Sequence, residues 1–130
     1  MALRRDATVT IVEPFFESDS LPSKSWNRDV LEATIRAIRE ARPDLDISQI
    51  EAASVEAVRL APTASAIYID ACHEYAECRA DIELWQTRLR PGGVLFGHDY
   101  SPRHPGVMDA VNEVLPVFRL ISDTRIWVAE

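Results

Sequence analysis

Short apolar runs alternate along the chain with longer segments of helical spacing. The runs are apolar on both faces, which is typical of buried strands in a parallel sheet. They cover residues 8–13, 47–52, 66–70 and 94–97. The segments between them repeat apolar residues every three or four positions, which predicts four helices. The first follows a cap at Ser25 or Asn27, the second and third span residues 54–60 and 75–88, and the fourth begins at Pro105. Alternating strands and helices predict an α/β domain with a mainly parallel sheet.

The last part of the chain departs from this alternation. Residues 117–121 and 125–128 flank Ser122-Asp123-Thr124, a pattern that predicts an antiparallel hairpin. Such a hairpin is compatible with an edge of a mainly parallel sheet. Residues 90–93, Arg-Pro-Gly-Gly, predict a turn before the fourth strand. With 130 residues in total, we expect a single domain over residues 1–130.

Composition and charge narrow the classes of partner. The chain is 47% hydrophobic and 27% charged, as packed globular proteins are. Its formal net charge of −7 disfavours nucleic acid and anionic membranes, which are themselves negatively charged. No apolar run reaches the roughly 18 residues of a membrane helix, and the first residues show no signal-peptide pattern. We therefore expect a cytoplasmic protein that binds neither nucleic acid nor membrane.

The two cysteines predict neither a disulfide nor a zinc knuckle. Cys72 and Cys78 are six positions apart, which fits no C-x-x-C motif. Cys78 falls on an apolar stripe of the helix at residues 75–88, together with Ile82 and Trp85, so we expect it in the core. Cys72 precedes that helix and is interpreted as a small filler.

Polar residues follow three of the predicted strands. Glu13, Asp70 and the pair His98-Asp99 stand where ligands of open parallel sheets bind, at the carboxyl ends of the strands. A single acid there is equally well explained as a solvated strand end or a helix cap. Asp70 and Asp99 end strands joined by one crossover, so both carboxylates are expected to face one crevice. Their carboxylate oxygens are ligands that Mg²⁺ prefers, and the imidazole nitrogen of His98 would suit Mn²⁺ better.

Two further histidines lie in loops. His73 comes three residues after Asp70, where a group that titrates near neutrality can act as a general base. By position alone, a structural role is favoured, in which His73 caps the next helix or hydrogen-bonds a neighbour. His104 stands between prolines and is interpreted as an exposed loop residue.

Five motifs in order carry a family resemblance. They are Ile67-Tyr-Ile-Asp-Ala-Cys-His-Glu-Tyr75, Asp81-Ile-Glu-Leu-Trp85, Leu89-Arg-Pro-Gly-Gly93, His98-Asp-Tyr100 and Pro105-Gly-Val107. This series resembles the I-D-G-D-H-x-Y, D-x-x-x-W, L-x-P-G-G, H-D-Y and G-V pattern of class I S-adenosylmethionine-dependent methyltransferases of the family 24 type. The resemblance implies a Rossmann-like, doubly wound sheet and S-adenosylmethionine as cofactor.

The same resemblance implies a role for each site residue. Glu13 would bind the ribose hydroxyls of the cofactor, and Ser54 and Asp70 would complete the cofactor side. Asp70, His98 and Asp99 would hold a divalent ion such as Mg²⁺ that orients an acceptor hydroxyl. His73 would be the catalytic base.

Several departures from the family pattern leave two functions open. Ala71 and Cys72 replace the Gly-Asp of the motif, and residues 52–53 are both alanine where the family commonly has Gly-Asp before Ser54. No glycine precedes Gly92, so we expect a fold that lacks the first strand and the glycine-rich turn of the family. One hypothesis is O-methyl transfer to a small hydroxylated acceptor. The alternative is a non-catalytic methyltransferase-like module, completed by self-association or by a partner chain that supplies the strand.

A metal-binding α/β hydrolase-like domain is the third interpretation. It would share the carboxylates, but the chain has no G-x-S-x-G nucleophile motif.

Overall fold

A computed structural model describes residues 7–14 and 28–130. In chain order its elements are β1 (Thr8–Val12), α1 (Arg28–Ala41), β2 (Asp46–Ile50), α2 (Ser54–Leu60), β3 (Ala64–Ile69), α3 (Tyr75–Gln86), β4 (Leu89–Gly97), α4 (Pro105–Val114), β5 (Phe118–Leu120) and β6 (Trp127–Ala129). The predicted α/β alternation is confirmed. The predicted caps Ser25 and Asn27 lie outside the described residues. Among the described helices, none has the length and apolar character needed to cross a membrane.

The chain divides into two compact units, Met1–Leu60 and Ala61–Glu130. In the first unit, β1 and β2 pair in parallel, with Thr8 opposite Asp46 and Val12 opposite Ile50. Helix α1 is fastened to β2 by Arg39, whose Nη2 donates a 2.8 Å hydrogen bond to the backbone oxygen of Ile47.

Apolar side chains from three elements make the small core of the first unit. Ile35 of α1 and Ile47 of β2 are buried, and α2 contributes two more buried side chains, Ala57 and Val58. Ile35 is thus the residue through which α1 joins this core.

The second unit contains a four-stranded mixed sheet in the order β3-β4-β6-β5. Strands β3 and β4 are parallel, with Ile67 opposite Leu95. Strand β6 is antiparallel to both of its neighbours, β4 and β5. The predicted C-terminal hairpin is therefore confirmed, and its second strand lies inside the sheet.

Helices α3 and α4 supply most of the core of the second unit, together with β4 and β6. The buried side chains are Cys78, Ile82, Leu95, Val107, Ala110, Val111, Leu115 and Trp127. The predicted burial of Cys78 is confirmed, and Trp85 packs against the edge of this core. Both cysteines are free thiols, as the sequence predicts.

The predicted turn at residues 90–93 is wrong, because these residues lie inside β4. The register shifts there, since Ala64 is opposite Leu89 but Ala66 is opposite Val94. Extra β4 residues therefore bulge out of the ladder, and Gly92 has a φ of 74° that other residues rarely adopt. The glycine provides the bend that the sequence indicates, but the strand continues through it.

Candidate functional site

The carboxyl ends of β3 and β4 are joined just before the polar residues begin. The backbone N–H of His98 donates a 3.1 Å hydrogen bond to the oxygen of Ile69, the last residue of β3. Asp70 follows directly on one strand, and His98-Asp99 follow on the other. The expectation that these residues share one sheet edge agrees with this geometry.

Asp99 is the centre of the cluster, and its side chain is 11% exposed. Its Oδ2 lies 2.9 Å from Nε2 of His73. Its Oδ1 lies 3.0 Å from Nη1 of Arg125, 3.2 Å from Nδ1 of His98 and 3.7 Å from Nε2 of His104. One carboxylate thus organises three imidazoles and one guanidinium.

The backbone of Asp99 is in the left-handed region, with a φ of 60°. Aspartate and asparagine tolerate this conformation better than most residues do. The next residue, Tyr100, donates its N–H to the backbone oxygen of Arg125 at 3.0 Å. The segment after β4 is therefore joined to the loop that carries Arg125.

The surroundings of Asp99 favour its charged form. Burial on its own raises the pKa of this carboxyl group, but the neighbouring His98 and the hydrogen bond from His73 outweigh burial. The net result is a pKa below the ordinary value. Asp99 is therefore an ionised acceptor at neutral pH.

An ionised Asp99 fixes the proton of a neutral His73. Because a carboxylate only accepts, Nε2 of His73 must carry the hydrogen that it donates to Oδ2. The other ring nitrogen, Nδ1, then holds a lone pair. A carboxylate also orients the imidazole base of serine hydrolases, but there the carboxylate accepts from Nδ1 and the base is Nε2.

Asp70, His98 and Asp99 come together as a set of candidate metal ligands. Their ligand atoms all lie within 4.8 Å of one another. Asp70 is exposed, and its Oδ2 accepts a 3.2 Å hydrogen bond from the hydroxyl of Tyr68. Two carboxylates and one imidazole on a partly open surface fit a divalent ion that keeps several waters.

His104 is not the exposed loop residue that the sequence predicts. It is partly buried, and its ring centroid lies 4.0 Å from that of His73. It stands immediately before α4, and its backbone oxygen accepts the N–H of Val107 at 3.1 Å. The start of α4 therefore brings this imidazole into the cluster.

Gly106 permits that approach. A Cβ atom at this position would lie 2.4 Å from the backbone oxygen of His73 and 2.7 Å from the nitrogen of Tyr75. Both distances are well inside van der Waals contact, so only glycine fits without a shift. The first turn of α4 thus packs directly on the backbone of the His73 loop.

A small crevice of about 20 Å³ lies beside the cluster, which is room for about one water or ion. Asp70, His73, His98, Asp99 and Trp127 line it, along with apolar neighbours. The indole N–H of Trp127 is buried and has no hydrogen-bond acceptor among the described residues.

Glu13 and Ser54, the other predicted cofactor residues, belong to the first unit. Glu13 follows β1 and donates its backbone N–H to the oxygen of Ile50 at 3.1 Å. Ser54 is the first residue of α2. Because β1 and β2 are parallel, both residues follow carboxyl ends at the same edge of their sheet.

Comparisons with known proteins identify the family. A family model described as a methyltransferase domain matches residues 1–100. The chain therefore belongs to this methyltransferase family, as its motifs predict. A comparison with curated protein sequences found no match.

Three solved structures are similar in fold. CalS11, a TDP-rhamnose 3′-O-methyltransferase of calicheamicin biosynthesis, aligns with a TM-score of 0.65 and 13% identity over 98% of this chain and 59% of its own. The chain thus spans less than two thirds of that relative. Precorrin 8w decarboxylase from Methanobacterium thermoautotrophicum has a TM-score of 0.58 and 11% identity, with 93% of this chain and 67% of its own covered.

The third structure is MycE, a methyltransferase of mycinamycin biosynthesis in complex with Mg and S-adenosylhomocysteine. It aligns with a TM-score of 0.57 and 11% identity over 96% of this chain and 45% of its own. At these identities the likeness concerns the fold. It confirms the Rossmann-like α/β class predicted from the sequence.

Proposed function

We propose that this chain is an S-adenosylmethionine-dependent O-methyltransferase that acts on a small hydroxylated acceptor. The observation that carries the proposal is the 2.9 Å contact between Nε2 of His73 and Oδ2 of Asp99 at the carboxyl ends of β3 and β4. Family membership and the methyltransferases among its structural neighbours support the reaction class.

His73 is the proposed base, and Asp99 is the residue that orients it. The lone pair on Nδ1 accepts the proton of the acceptor hydroxyl, and the resulting imidazolium is stabilised by the Asp99 carboxylate. When bound, S-adenosylmethionine would supply the methyl group to that oxygen as its carbon–sulfur bond breaks, and the sulfonium would leave as a neutral thioether.

Asp70, His98 and Asp99 are the proposed ligands of a divalent ion, with Mg²⁺ as the best match to their oxygen donors. The Mg in the MycE complex supports this choice. When bound, S-adenosylmethionine supplies the methyl group, and a divalent ion lowers the pKa of a hydroxyl that it binds. Glu13 is proposed to accept hydrogen bonds from the ribose hydroxyls, as the sequence resemblance implies, and Ser54 and Asp70 to complete the cofactor side.

The first test is calorimetric titration of S-adenosylhomocysteine into the purified chain, with and without Mg²⁺. Saturable binding that weakens about tenfold in Glu13→Gln, but not in the exposed α2 control Glu56→Gln, supports the cofactor site. A folded chain that binds no S-adenosylhomocysteine under either condition contradicts the proposal.

The second test measures methyl transfer to TDP-rhamnose, the acceptor named for CalS11, and to simple catechols. His73→Gln should lower turnover by about 10²–10⁴-fold and leave binding of S-adenosylhomocysteine intact, because a base acts in the chemical step. Unchanged turnover in His73→Gln would remove it from the mechanism.

One structural observation favours a second candidate function, a non-catalytic methyltransferase-like module. Among the described residues, β3 pairs with β4 alone, so its other edge presents free backbone groups. We propose as the alternative that a second copy or a partner chain adds a strand there. Sedimentation velocity separates the two: a monomer that binds cofactor supports the enzyme, and an obligate dimer without cofactor binding supports the module.

A further inference from the structure

A second set of metal-ligating side chains shares Asp99 with the first. Ligand atoms of His73, Asp99 and His104 all lie within 4.8 Å of one another. This set offers two nitrogens and one oxygen, whereas the set with Asp70 offers one nitrogen and two oxygens. We infer that His73, Asp99 and His104 form a binding site for a nitrogen-preferring transition ion, Zn²⁺ above all.

The separations within the set suit a tetrahedral ion. With bonds of about 2.0–2.1 Å to zinc, neighbouring tetrahedral ligand atoms are about 3.3 Å apart. Oδ2 of Asp99 lies 2.9 Å from Nε2 of His73, and Oδ1 lies 3.7 Å from Nε2 of His104. Each imidazole thus lies near its own carboxylate oxygen, so an ion bound by a single oxygen needs a side-chain rotation at Asp99 or at one of the histidines. Three protein ligands leave a fourth position for water.

The two imidazoles are held in place by the backbone around them. Their centroids are 4.0 Å apart, with ring planes inclined by 41°. The contact of Gly106 with the backbone of His73 and Tyr75 fixes the start of α4 against the loop that carries His73. Because the ligands already converge, an ion that binds them need not order a loop.

The donor chemistry separates this site from the Mg²⁺ site proposed above. Imidazole suits zinc, copper and nickel, whereas carboxylate and water suit magnesium. The two sites share the Asp99 carboxylate, so we expect their ions to compete. Asp70 and His98 belong to the proposed Mg²⁺ set alone, and His73 and His104 belong to the proposed Zn²⁺ set alone.

Arg125 limits affinity at both sets. Its guanidinium lies 3.0 Å from Oδ1 of Asp99 and is itself 46% exposed. The guanidinium neutralises the carboxylate and occupies the oxygen nearest to His104. Removal of this positive charge should therefore strengthen cation binding.

The consequence for catalysis rests on the proposed function, but the binding itself does not. Coordination through Nε2 of His73 requires its hydrogen to move to Nδ1, the atom proposed as the base. Zn²⁺ should therefore inhibit methyl transfer at concentrations where Mg²⁺ does not. Metal binding can be measured whether or not the chain transfers a methyl group.

The test is calorimetric titration of Zn²⁺ into the full chain without an affinity tag, with Co²⁺ absorption as a spectroscopic probe of tetrahedral geometry. We expect one site, weakened at least about tenfold in His104→Ala and unchanged in Asp70→Asn. Arg125→Gln should bind Zn²⁺ several-fold more tightly. Circular dichroism checks that each variant is folded.

Four results would overturn the inference: a folded chain that binds no Zn²⁺, equal affinity in His104→Ala, an equal loss in Asp70→Asn, or a loss in Cys72→Ser. The third would place the ion in the Asp70 set, and the last would make the exposed Cys72 thiol a ligand. Failure of cofactor binding with intact Zn²⁺ binding would contradict the proposed function alone.

Discussion

A Cβ atom on Gly106 would lie 2.4 Å from the backbone oxygen of His73. The neighbour is backbone and cannot rotate away, so Gly106→Ala must push α4 from the His73 loop. Overpacking of this kind costs about 1–3 kcal/mol, whereas an unhindered glycine-to-alanine change in a helix gains up to about 1 kcal/mol. We expect a lower free energy of unfolding in urea.

A lower free energy of unfolding in Gly106→Ala indicates that the glycine is needed for packing, whereas a higher one indicates that only helix propensity matters. Asp109→Ala, an exposed change on the same helix, is the control and should stay within about 0.5 kcal/mol of wild type. A more stable Gly106→Ala protein would contradict the close approach of α4.

Gly97 makes a second close approach, at the end of β4. A Cβ there would lie 2.5 Å from the ring of Trp127 and 2.6 Å from the oxygen of Ile69. Because Trp127 is only 1% exposed, its indole has no space to retreat. We expect Gly97→Ala to lose about 3 kcal/mol or more in urea unfolding, with an altered near-ultraviolet circular dichroism signal.

A double-mutant cycle with Trp127→Leu checks that assignment. The smaller side chain relieves the ring contact but not the contact with Ile69, so the two losses should be less than additive. Strictly additive losses would mean that Gly97 and Trp127 do not interact.

The acid side of the stability profile should depend on Asp99. Its pKa is lowered in the folded protein, so its ionic contacts stabilise the fold above the ordinary pKa of 3.8 and are lost as the pH falls through the folded value. Urea unfolding from pH 7 down to pH 3 should show a steeper loss in wild type than in Asp99→Asn.

Asparagine is a suitable replacement because it tolerates the positive φ of this position. At neutral pH we expect Asp99→Asn to cost about 1–3 kcal/mol, since it weakens the contacts with His73 and Arg125. Asp109→Asn serves as the exposed control. Parallel profiles for wild type and Asp99→Asn would show that the Asp99 carboxylate adds nothing to the pH dependence.

The two thiols should differ in reactivity. Burial raises the pKa of Cys78 to about 12, and the presence of nearby Cys72 and Asp81 adds to this effect. Its S–H donates to the backbone oxygen of Cys72 at 2.7 Å, whereas the Cys72 side chain is exposed. An aromatic disulfide reagent should therefore modify one thiol quickly in the native protein and two in denaturant.

Cys72→Ser is the matched variant for this experiment. It should abolish the fast phase and leave the slow one. Rapid release of two equivalents from native protein would mean that α3 opens far more readily than its packing implies.

Local patterns predict most of the secondary structure because they reflect burial directly. The helix predicted at Ser54–Leu60 has the same bounds in the structure, and the predicted strands differ by one or two residues at their ends, except β4, which begins at Leu89 instead of Val94. The glycine pair at residues 92–93 indicates a bend, but both a turn and a β-bulge use the freedom of glycine to adopt a positive φ. Register with β3 decides between them, and register is a property of two strands.

The candidate site is predicted in part for the same reason. Asp70, His98 and Asp99 end buried strands, so topology alone places them at one edge. His104 reaches the cluster through a helix start, and Gly106 after Pro105 is the only local sign that another backbone lies close. Arg125 has no such sign, because its contact with Asp99 depends on how the hairpin folds back.

The position of β6 has a consequence for the order of synthesis. This strand lies between β4 and β5, so β5 has no neighbour in the described sheet until residues 127–129 exist. The ring that packs against Gly97 also comes from β6. A nascent chain that has reached residue 120 lacks this strand, so the edge of β4 that pairs with β6 has no partner in the described sheet. The core of this unit can therefore close only after Trp127 of β6 has been synthesised.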